Sequence, residues 1–553
     1  MSDQTNVKKP SEMKVLIVYP NLPLMLIPSI AVALFTSIFK KQGYQVDLFE
    51  TTYYMSDEAT NTKARMERLQ ARRFDIVEEL DVVIKNDMLG DFRRKVEEFQ
   101  PDLLVMSTVE DTFLQGVRML RAVAGLNVPH IVGGVFPTNA KERCFDFPEI
   151  NMIGIGEGEK TVLAVAEAIR EGRSTRDIPS VWCRDDGGSI HKNQMAELVN
   201  INDVRPDFSL FDEKRFYRPM GGRLFKMMPV ETYRGCPYSC TYCNSPAMTS
   251  LTRENELGNF LRRKTMTTMR DEFAHYIDEF QPEFFYIMDD SFLARPKKEI
   301  YEFCDMYEEF KLPFWFNTRA ENCTPELLTR LKEVGCYRMA ASAETGNEDY
   351  RESVLRRKIK NDKLLKHFDY IADSGIAFSV DIMFGLPGET RELAMESIEV
   401  IREIRGFDAL TVSVFTPYHG TVLRQVAINN GWLDPKEICS GATTQSLLNM
   451  PKPYLGPEEI VELTTVAPLY CYFPESEWET LRRAETNDDE GISIRNKYAE
   501  IYNREFFGEN QDTGNNKAMV GGSGCRSNPR DSFHVASRPL DKSDLEKLMI
   551  SGA

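Results

Sequence analysis

Three cysteines stand close together near the middle of the chain. Cys236, Cys240 and Cys243 follow Gly235 with the spacing Cys-x3-Cys-x2-Cys. Thiolates are soft ligands that suit iron–sulfur clusters and zinc. A closed zinc site takes four ligands, usually as two separated pairs, and no nearby histidine completes one. Three cysteines on a 4Fe–4S cluster leave one iron open, so the spacing predicts such a cluster. A structural zinc site and inert buried cysteines are the alternatives.

Further polar and glycine-rich motifs follow the strands predicted after these cysteines. Carboxylates near an open iron can accept hydrogen bonds from an ammonium group, and an arginine can clamp a carboxylate. Glycines without a Cβ atom let a flat ring approach the backbone closely. The motifs are Met288-Asp289-Asp290-Ser291-Phe292, Asn317-Thr318-Arg319, Glu344-Thr345-Gly346 with Arg356-Arg357, Phe384-Gly385-Leu386-Pro387-Gly388-Glu389-Thr390, and Thr416-Pro417-Tyr418-His419-Gly420-Thr421.

The elements that must position these motifs are parallel strands separated by helices. Six βα units over residues 227–420 predict a partial (βα)6 barrel, in which chemistry sits at the carboxyl ends of the strands. Strands are predicted at Met227–Arg234, Phe284–Asp290, Phe314–Ala320, Tyr337–Glu344, Ala377–Gly385 and Ala409–Thr416.

An earlier alternation of strands and helices, over residues 12–175, predicts a separate α/β domain. Continuously apolar strands between helices indicate a doubly wound, Rossmann-like parallel sheet covered on both faces. Such sheets bind ligands at the carboxyl ends of their strands, where flavin or a nucleotide would fit as well as other cofactors. A long charged segment from Asp57 to Gln100 is predicted to be helical, and residues 176–226 are predicted to be a linker.

Taken together and in this order, the motifs after Met227 resemble the radical S-adenosylmethionine (radical SAM) superfamily. The resemblance implies that Cys236, Cys240 and Cys243 bind the 4Fe–4S cluster. No catalytic residue is assigned beyond the cluster. The pair Asp289-Asp290 departs from the Gly-Gly-Glu form common in the superfamily and resembles the version found beside cobalamin domains. The implied S-adenosylmethionine contacts are Tyr242, Asp289, Asp290, Arg319, Glu344, Arg356, Gly385 and Pro387.

The doubly wound domain ahead of this barrel resembles that of the cobalamin-dependent radical SAM enzymes. The Asp-x-His-x-x-Gly motif that supplies a cobalt ligand elsewhere is absent, since the first loop reads Tyr19-Pro20-Asn21-Leu22-Pro23. Cobalamin is nevertheless the expected ligand, with a degenerate or differently used domain as the alternative. His130 lies within a predicted strand and is expected in the core. The implied cobalamin contacts are Ser107, Thr108, Gly133, Gly134 and Gly156.

The resemblance implies an enzyme that cleaves S-adenosylmethionine to a 5′-deoxyadenosyl radical and abstracts hydrogen from an unactivated carbon of a small molecule. Methyl transfer to that carbon is expected, with flavodoxin or ferredoxin as electron donor. A non-methylating oxidoreductase or cyclase of the same architecture and a non-catalytic iron–sulfur redox sensor are alternatives. A tRNA methylthiotransferase is disfavoured because only Cys144 and Cys183 precede the barrel, too few for the second three-cysteine site of those enzymes.

Size and composition agree with an enzyme of several domains. The chain has 553 residues and a formal net charge of −17, which disfavours a nucleic-acid partner. Eleven unevenly spaced cysteines suit a reducing compartment, so a cytoplasmic location is expected. The apolar stretch Leu22–Phe39 is interrupted by Pro23 and Pro28, and is expected to be a buried loop and helix, not a membrane span. No signal peptide is predicted. Residues 421–508 are predicted to be mainly helical and 509–553 a disordered tail.

Overall fold

The protein was analysed as a computed structural model, which describes residues 7–55, 61–185, 187–220, 223–440 and 445–508. Two seven-stranded sheets lie one after the other along the chain and are followed by helices. The predicted disordered tail at 509–553 lies outside the described residues.

The first sheet has the strand order β2-β1-β3-β4-β5-β6-β7. Strands β1 to β5 are parallel, and β6 and β7 join them as an antiparallel hairpin. The order of the parallel strands is that of a doubly wound sheet, as predicted. The strands are β1 (Lys14–Tyr19), β2 (Gln45–Glu50), β3 (Leu103–Ser107), β4 (His130–Gly133), β5 (Met152–Gly154), β6 (Val181–Arg184) and β7 (Ile190–Lys192).

Eight helices accompany this sheet. The charged segment predicted to be one long helical stretch is divided into three helices, because Asp75 and Asp87 each cap the start of a new one. Most of the apolar stretch Leu22–Phe39 forms a loop and a buried helix, as expected. Among the helices of the described ranges, none is long and apolar enough to cross a membrane. The helices are α1 (Ile30–Lys41), α2 (Asn61–Glu67), α3 (Ile76–Glu79), α4 (Met88–Phe99), α5 (Glu110–Val123), α6 (Val135–Asn139), α7 (Lys141–Cys144) and α8 (Glu159–Arg170).

The second sheet curls into an open barrel with the strand order β16-β15-β14-β13-β12-β9-β8. Six of its strands are parallel, which confirms the predicted partial barrel; they are β9, β12, β13, β14, β15 and β16. Strand β8 adds an antiparallel edge. A small separate sheet pairs β10 with β11. The strands are β8 (Tyr217–Met220), β9 (Arg223–Val230), β10 (Tyr233–Arg234), β11 (Arg262–Arg263), β12 (Phe284–Ile287), β13 (Phe314–Arg319), β14 (Cys336–Glu344), β15 (Ala377–Phe384) and β16 (Ala409–Val414).

Two expectations from the sequence differ from these strands. The interval 176–226 predicted as a linker contributes β6 and β7 to the first sheet and β8 to the second. The single strand predicted at Met227–Arg234 is divided into β9 and β10, because β10 leaves the barrel to pair with β11. The hairpin of β6 and β7 agrees with the turn signal Asp185-Asp186-Gly187-Gly188, which predicts two short strands there. The pairings of β6 with β5 and of β10 with β11 join strands distant in sequence, which a local pattern does not encode.

Helices cover the outside of the barrel and form the region after it. The aromatic group Tyr470, Tyr472 and Phe473 is buried in the core of this last region. The helices are α9 (Ser245–Glu254), α10 (Met266–Phe280), α11 (Lys297–Tyr307), α12 (Pro325–Glu333), α13 (Glu348–Ser353), α14 (Asn361–Ser374), α15 (Arg391–Glu403), α16 (Val422–Asn429), α17 (Pro457–Tyr472), α18 (Trp478–Ala484) and α19 (Asp489–Glu505). Short 3-10 helices occur at Pro10–Glu12, Ala124–Leu126, Glu213–Phe216, Ala320–Asn322 and Glu475–Glu477.

The open side of the barrel, between the edge strands β16 and β8, is covered by the insertion after β2 in the first domain. The side-chain amide of Gln70 donates to the backbone oxygen of Val412 on β16 at 2.9 Å. Leu26 and Ile76 pack in one cluster with Tyr217 of β8. The insertion therefore covers both edges of the sheet, which protects them from other strand pairing.

A buried carboxylate also joins the domains where β16 ends. Glu110, at the start of α5, accepts from Nδ1 of His419 at 2.7 Å and from the backbone N–H groups of His419 and Cys439 at 2.8 and 3.0 Å. Next to it, the hydroxyl of Tyr418 lies 3.0 Å from Asp111. Tyr418 and His419 of the motif predicted to close the sixth strand thus dock the barrel onto the first domain.

We expect Glu110→Ala to lower the free energy of unfolding by about 3 kcal/mol, because it leaves three buried donors without an acceptor. Urea titration followed by circular dichroism measures this change. Glu97→Ala is the matched control: it removes only an exposed ion pair with Arg93 and should change stability by less than about 1 kcal/mol. Equal effects of the two substitutions would contradict the role given to Glu110.

Candidate active site

The cysteine loop joins β10 to α9 at the carboxyl end of the barrel. Gly235 precedes it with a φ of +95°, a left-handed conformation that favours glycine. A Cβ atom at this position would lie 2.9 Å from Cδ1 of Phe260, so the turn also requires that no side chain be present. Cys236, Cys240 and Cys243 are all half-buried in the loop that follows.

The three thiols share one electrostatic environment. Burial, together with the charges of Asp290 and the sulfur of Cys240, raises the pKa of Cys236 to about 11 and that of Cys243 to about 12. The sulfurs therefore lie close enough to repel one another as thiolates, and a cationic centre would remove that repulsion. One protein cation already contacts the group, since Nη2 of Arg319 lies 3.4 Å from Sγ of Cys240.

The donor set fits an iron–sulfur cluster better than a single ion. In the described part of the chain, no three His, Cys, Asp or Glu side chains converge as ligands of one metal ion would. Each cysteine of a 4Fe–4S cluster binds a different iron, so its three thiols stay apart. A tetrahedral zinc site would instead need four convergent ligands. The loop therefore fits a cluster with one iron left for an external ligand.

Two of the predicted S-adenosylmethionine contacts, Tyr242 and Glu344, are hydrogen bonded to each other beside the cysteines. The Tyr242 hydroxyl donates to Oε1 of Glu344 at 2.7 Å, and Nη1 of Arg357 donates to the same oxygen at 3.1 Å. Glu344 has a φ of +65° at an irregular end of β14, a conformation that is rare for a residue with a side chain. Such backbone strain is typical of functional sites.

The arginine pair after β14 is oriented differently from the prediction. The predicted contact Arg356 is exposed, whereas Arg357 is fully buried and bridges Glu344 and Glu321. A left-handed φ of +57° at Arg356 turns the chain so that the second arginine points inward. Arg357 is therefore the residue of this pair that contacts Glu344, and the S-adenosylmethionine contact of Arg356 stays a prediction.

The two acidic residues after β12 have different roles in the structure. Asp289 is buried, pairs with Arg295, and accepts from the backbone N–H groups of Thr232 and Tyr233 at 2.8 and 3.0 Å. Burial raises its pKa, although Arg295 opposes that shift. Its oxygens are thus used to hold the start of the cysteine loop, which leaves Asp290 as the exposed carboxylate of the pair.

Asp290 borders the thiols and accepts from Oγ of Ser245 at 2.6 Å. On the other side of the loop, the Arg319 guanidinium stacks over the ring of Tyr238 at 3.7 Å and lies 3.4 Å from Glu321. The structure therefore places Asp290, Arg319, Tyr242 and Glu344 around the cysteine loop, and their contact with S-adenosylmethionine stays a prediction.

The turn after β15 is built around a buried carboxyl group that the sequence did not single out. The Gly385 N–H, at a φ of +79°, donates to Oε2 of Glu389 at 2.6 Å. The Pro387 carbonyl accepts from the Tyr350 hydroxyl at 2.9 Å. Glu389 thereby fixes the turn that presents the predicted contacts Gly385 and Pro387, and burial raises its pKa to about 8.

The raised pKa of Glu389 makes the free energy of unfolding depend on pH. The native state keeps a proton on Glu389 that the unfolded chain releases from about pH 4.5, so this contribution to stability falls as pH rises towards 8. We expect wild type to lose up to about 1.4 kcal/mol per pH unit relative to Glu389→Gln over this window. Urea unfolding at several pH values measures the difference. Glu392→Gln, at an exposed position on α15, is the control, and parallel profiles for wild type and Glu389→Gln would contradict the assignment.

In the first domain, four of the five predicted cobalamin contacts line one cavity of about 330 Å³. Ser107, Gly133, Gly134 and Gly156 form its wall, at the carboxyl ends of β3, β4 and β5. Thr108 does not line it, but its carbonyl oxygen would lie 2.1 Å from a Cβ atom on Gly134, which has a φ of +115°. Glycine is therefore required at position 134, and Thr108 packs against Gly134 without lining the cavity itself.

His130 is partly buried and hydrogen bonded to the Glu149 carbonyl, away from this cavity, in agreement with a structural role.

The cavity and the cysteine loop are connected by ion pairs that the sequence did not reveal. Arg234, which precedes Gly235, donates to Glu157 at 2.8 Å, to Glu159 at 2.9 Å and to Glu231 at 2.9 Å. Glu157 and Glu159 line the cavity; Glu157 lies in the loop after β5, and Glu159 is the first residue of α8. Burial opposes the charge of Arg234, but these carboxylates outweigh it and hold its pKa well above the usual value. No local pattern marks this role of Arg234, because two of its three partners, Glu157 and Glu159, come from the other domain.

Comparison with known proteins identifies the class of this site. Residues 230–401 match the family model of the Radical SAM superfamily, so the barrel is a radical SAM domain, as predicted. Cytidylyl-2-hydroxyethylphosphonate methyltransferase from Streptomyces wedmorensis is similar at 24% identity over 475 residues, which cover 77% of this chain and 83% of that protein.

Two solved structures are similar over both domains. The radical SAM methyltransferase TsrM from Kitasatospora setae, with cobalamin and a [4Fe-4S] cluster bound, has a TM-score of 0.56 and 15% identity, covering 88% of this chain and 99% of that one. The cobalamin-dependent enzyme OxsB, with aqua-cobalamin and S-adenosylmethionine bound, has a TM-score of 0.58 and 15% identity, covering 90% and 72%. These likenesses confirm the predicted fold, a Rossmann-like domain followed by a radical SAM barrel and helices.

Proposed function

We propose that this protein is a cobalamin-dependent radical SAM enzyme that transfers a methyl group to an unactivated carbon of a small molecule. The observation that carries the proposal is the placement of three thiols at the mouth of the barrel, tied through Arg234 to the loop that lines the first-domain cavity. The methyltransferase among its relatives and the cobalamin in the similar structures support it.

In this proposal, Cys236, Cys240 and Cys243 hold the cluster, and residues around the loop hold S-adenosylmethionine. When bound, the cluster and S-adenosylmethionine supply radical chemistry, and cobalamin supplies a methyl carrier. Asp290 offers a carboxylate for an ammonium group. Arg319 offers a guanidinium for a carboxylate, although Glu321 and Cys240 share its donors.

The other side chains orient these groups. Arg357 and Tyr242 restrain Glu344, and Glu389 restrains the turn at Gly385 and Pro387. The first domain covers the open side of the barrel, which keeps water from reactive species. A reduced flavodoxin or ferredoxin is the proposed electron donor, and a cytoplasmic location remains a prediction.

We expect Cys240→Ala to lose the cluster and with it all 5′-deoxyadenosine release, while the first domain still folds. Anaerobic reconstitution, iron and sulfide analysis and chromatography of the nucleoside products measure this. Cys183→Ala, a half-buried cysteine on β6, is the matched control and should retain both. Undiminished cleavage of S-adenosylmethionine by Cys240→Ala would refute the cluster assignment.

We expect Gly133→Leu to abolish cobalamin retention without affecting the cluster. A Cβ atom at Gly133 meets only one atom within 4 Å, the Gly154 carbonyl oxygen at 3.8 Å, so the leucine side chain projects into the cavity without clashing with its neighbours. Gly125→Leu, at a position where nothing lies within 4 Å of the Cβ atom, is the control. Visible absorption after gel filtration measures bound cobalamin, and equal binding by both variants would place cobalamin elsewhere.

The same assays separate methyl transfer from other radical chemistry. A methyltransferase that uses S-adenosylmethionine both as radical source and as methyl donor releases S-adenosylhomocysteine together with 5′-deoxyadenosine. An oxidoreductase or cyclase of this architecture releases only 5′-deoxyadenosine, which would overturn the methyl-transfer part of the proposal.

A further inference from the structure

The inner face of the barrel encloses a space with an unusual set of polar groups. Phe285 and Phe314 face outward, because their rings pack against Phe273 of α10 and Tyr307 of α11 at 4.7 and 5.1 Å. Alternate residues of a strand point to opposite faces, so the adjacent Tyr286 and Trp315 face the lumen. The lumen contains free space, since Met288 and Ser413 are exposed although they lie at or within barrel strands.

Arg218 of the edge strand β8 enters this lumen. Its guanidinium lies 4.3 Å from the ring centre of Trp315 and 4.9 Å from that of Tyr286, and these two rings stack on each other at 4.6 Å. Stacked aromatic rings hold a guanidinium in place, and here the Tyr286 hydroxyl oxygen is the acceptor that they offer to it, because the Trp315 N–H can only donate. In the described residues, no carboxylate forms an ion pair with Arg218.

A second arginine reaches the lumen from the other edge of the barrel and from the other domain. Arg65 of α2 donates through Nη2 to Thr411 of β16 at 3.1 Å. Its charge is balanced in part by Asp381, which lies on β15. Arg65 and Arg218 thus stand on opposite sides of the seam that the insertion covers, and the charge of Arg218 lowers the pKa of Arg65.

Three buried nitrogen atoms of this group have no hydrogen-bond partner in the described residues. They are Nε of Arg65, Nη1 of Arg218 and Nε1 of Trp315. All three are donors only, and a buried donor without an acceptor is unfavourable. A donor-only cluster of this kind is completed by a ligand that accepts several hydrogen bonds.

The charges of the neighbouring side chains also favour a ligand that is an anion. Arg65, Arg218 and Arg338 surround two carboxylates, of which Asp408 is already paired with Arg338 and Asp381 faces Arg65. Glu344 also lies near Asp381 but is paired with Arg357, so within the described residues Arg218 is the arginine of the three that has no carboxylate partner. Burial lowers the pKa of Arg218 and of Arg65, and Arg338 lowers both further; Asp381 opposes the shift at Arg65 and Tyr286 opposes it at Arg218.

We propose that Arg218, Arg65 and Trp315 form a subsite for an anionic group of the substrate, a phosphate, phosphonate or carboxylate. The identification of the occupant as the substrate rests on the proposed function, whereas the anion site itself does not. Because Arg65 comes from the first domain, the subsite is complete only when both domains are docked. It would hold one end of the substrate in the barrel below the cysteine loop.

Isothermal titration calorimetry of the full reconstituted chain tests the subsite. The probes are inorganic phosphate, methylphosphonate and acetate, at constant ionic strength set with chloride. We expect saturable binding of at least one probe by wild type, and the relative affinities distinguish the three sources of the anion. Arg218→Gln should bind about tenfold to a hundredfold more weakly, since it loses hydrogen bonds to a charged group.

Arg270→Gln is the matched control, because Arg270 is an exposed arginine on the outer helix α10 and should not affect binding. If Arg218→Gln does not fold, as judged by circular dichroism, Arg65→Gln serves instead and should also weaken binding. No saturable binding by wild type, or equal binding by wild type and the lumen variants, would overturn the proposal.

Release of 5′-deoxyadenosine, measured on the same samples, separates this proposal from the proposed function. Anion binding without S-adenosylmethionine cleavage would contradict the proposed radical SAM function and support the anion site. Cleavage without anion binding would contradict the anion site and support the proposed function.

Discussion

Arg234 gathers carboxylates from both domains around one guanidinium directly before the cysteine loop. Its contacts with Glu157, Glu159 and Glu231 are all 2.8–2.9 Å long, and Arg262 adds a second cation at Glu157. Buried ion pairs add little net stability, but removing one partner leaves an uncompensated charge. This network therefore specifies geometry: it fixes the distance between the thiols and the first-domain cavity. Every role proposed for the two cofactor sites depends on that fixed distance.

A second constraint is the open edge of the barrel. A six-stranded partial barrel leaves β16 unpaired on one side, and here the insertion of the first domain covers it through Gln70 and Arg65. Covering an edge prevents unwanted strand pairing. In this protein the same contact brings a charged side chain into the lumen, so the element that completes the fold also shapes the space where a substrate would lie. Fold and specificity are thus linked through one segment.

Much of this arrangement could be predicted from the sequence. The strand at Lys14–Tyr19 and the cysteine spacing are local signals, because apolar runs and ligand spacing are written within a few residues. The resemblance of the motifs to a known family predicts roles for Asp290, Arg319 and Glu344 at strand ends and for Tyr242 in the cysteine loop, and the barrel topology brings these residues together. The parallel strand order followed from the alternation of strands and helices.

The rest depends on contacts between residues distant in sequence. Arg356 and Arg357 are adjacent, and only the left-handed backbone decides which of them points inward. Asp289 was assigned to a cofactor, but Arg295 and two backbone N–H groups already occupy its oxygens. No sequence motif marks the ion pair of Arg234 and Glu157, since it forms only where the two domains meet. Tertiary packing overrides local pattern at each of these positions.

The central claim is an iron–sulfur cluster held by three cysteines with one iron open to S-adenosylmethionine. Electron paramagnetic resonance of the anaerobically reconstituted and reduced protein, recorded with and without S-adenosylmethionine, tests it most directly. The account predicts a cluster signal that shifts when S-adenosylmethionine is added. A signal that does not change, as for a cluster with four protein ligands, would contradict it.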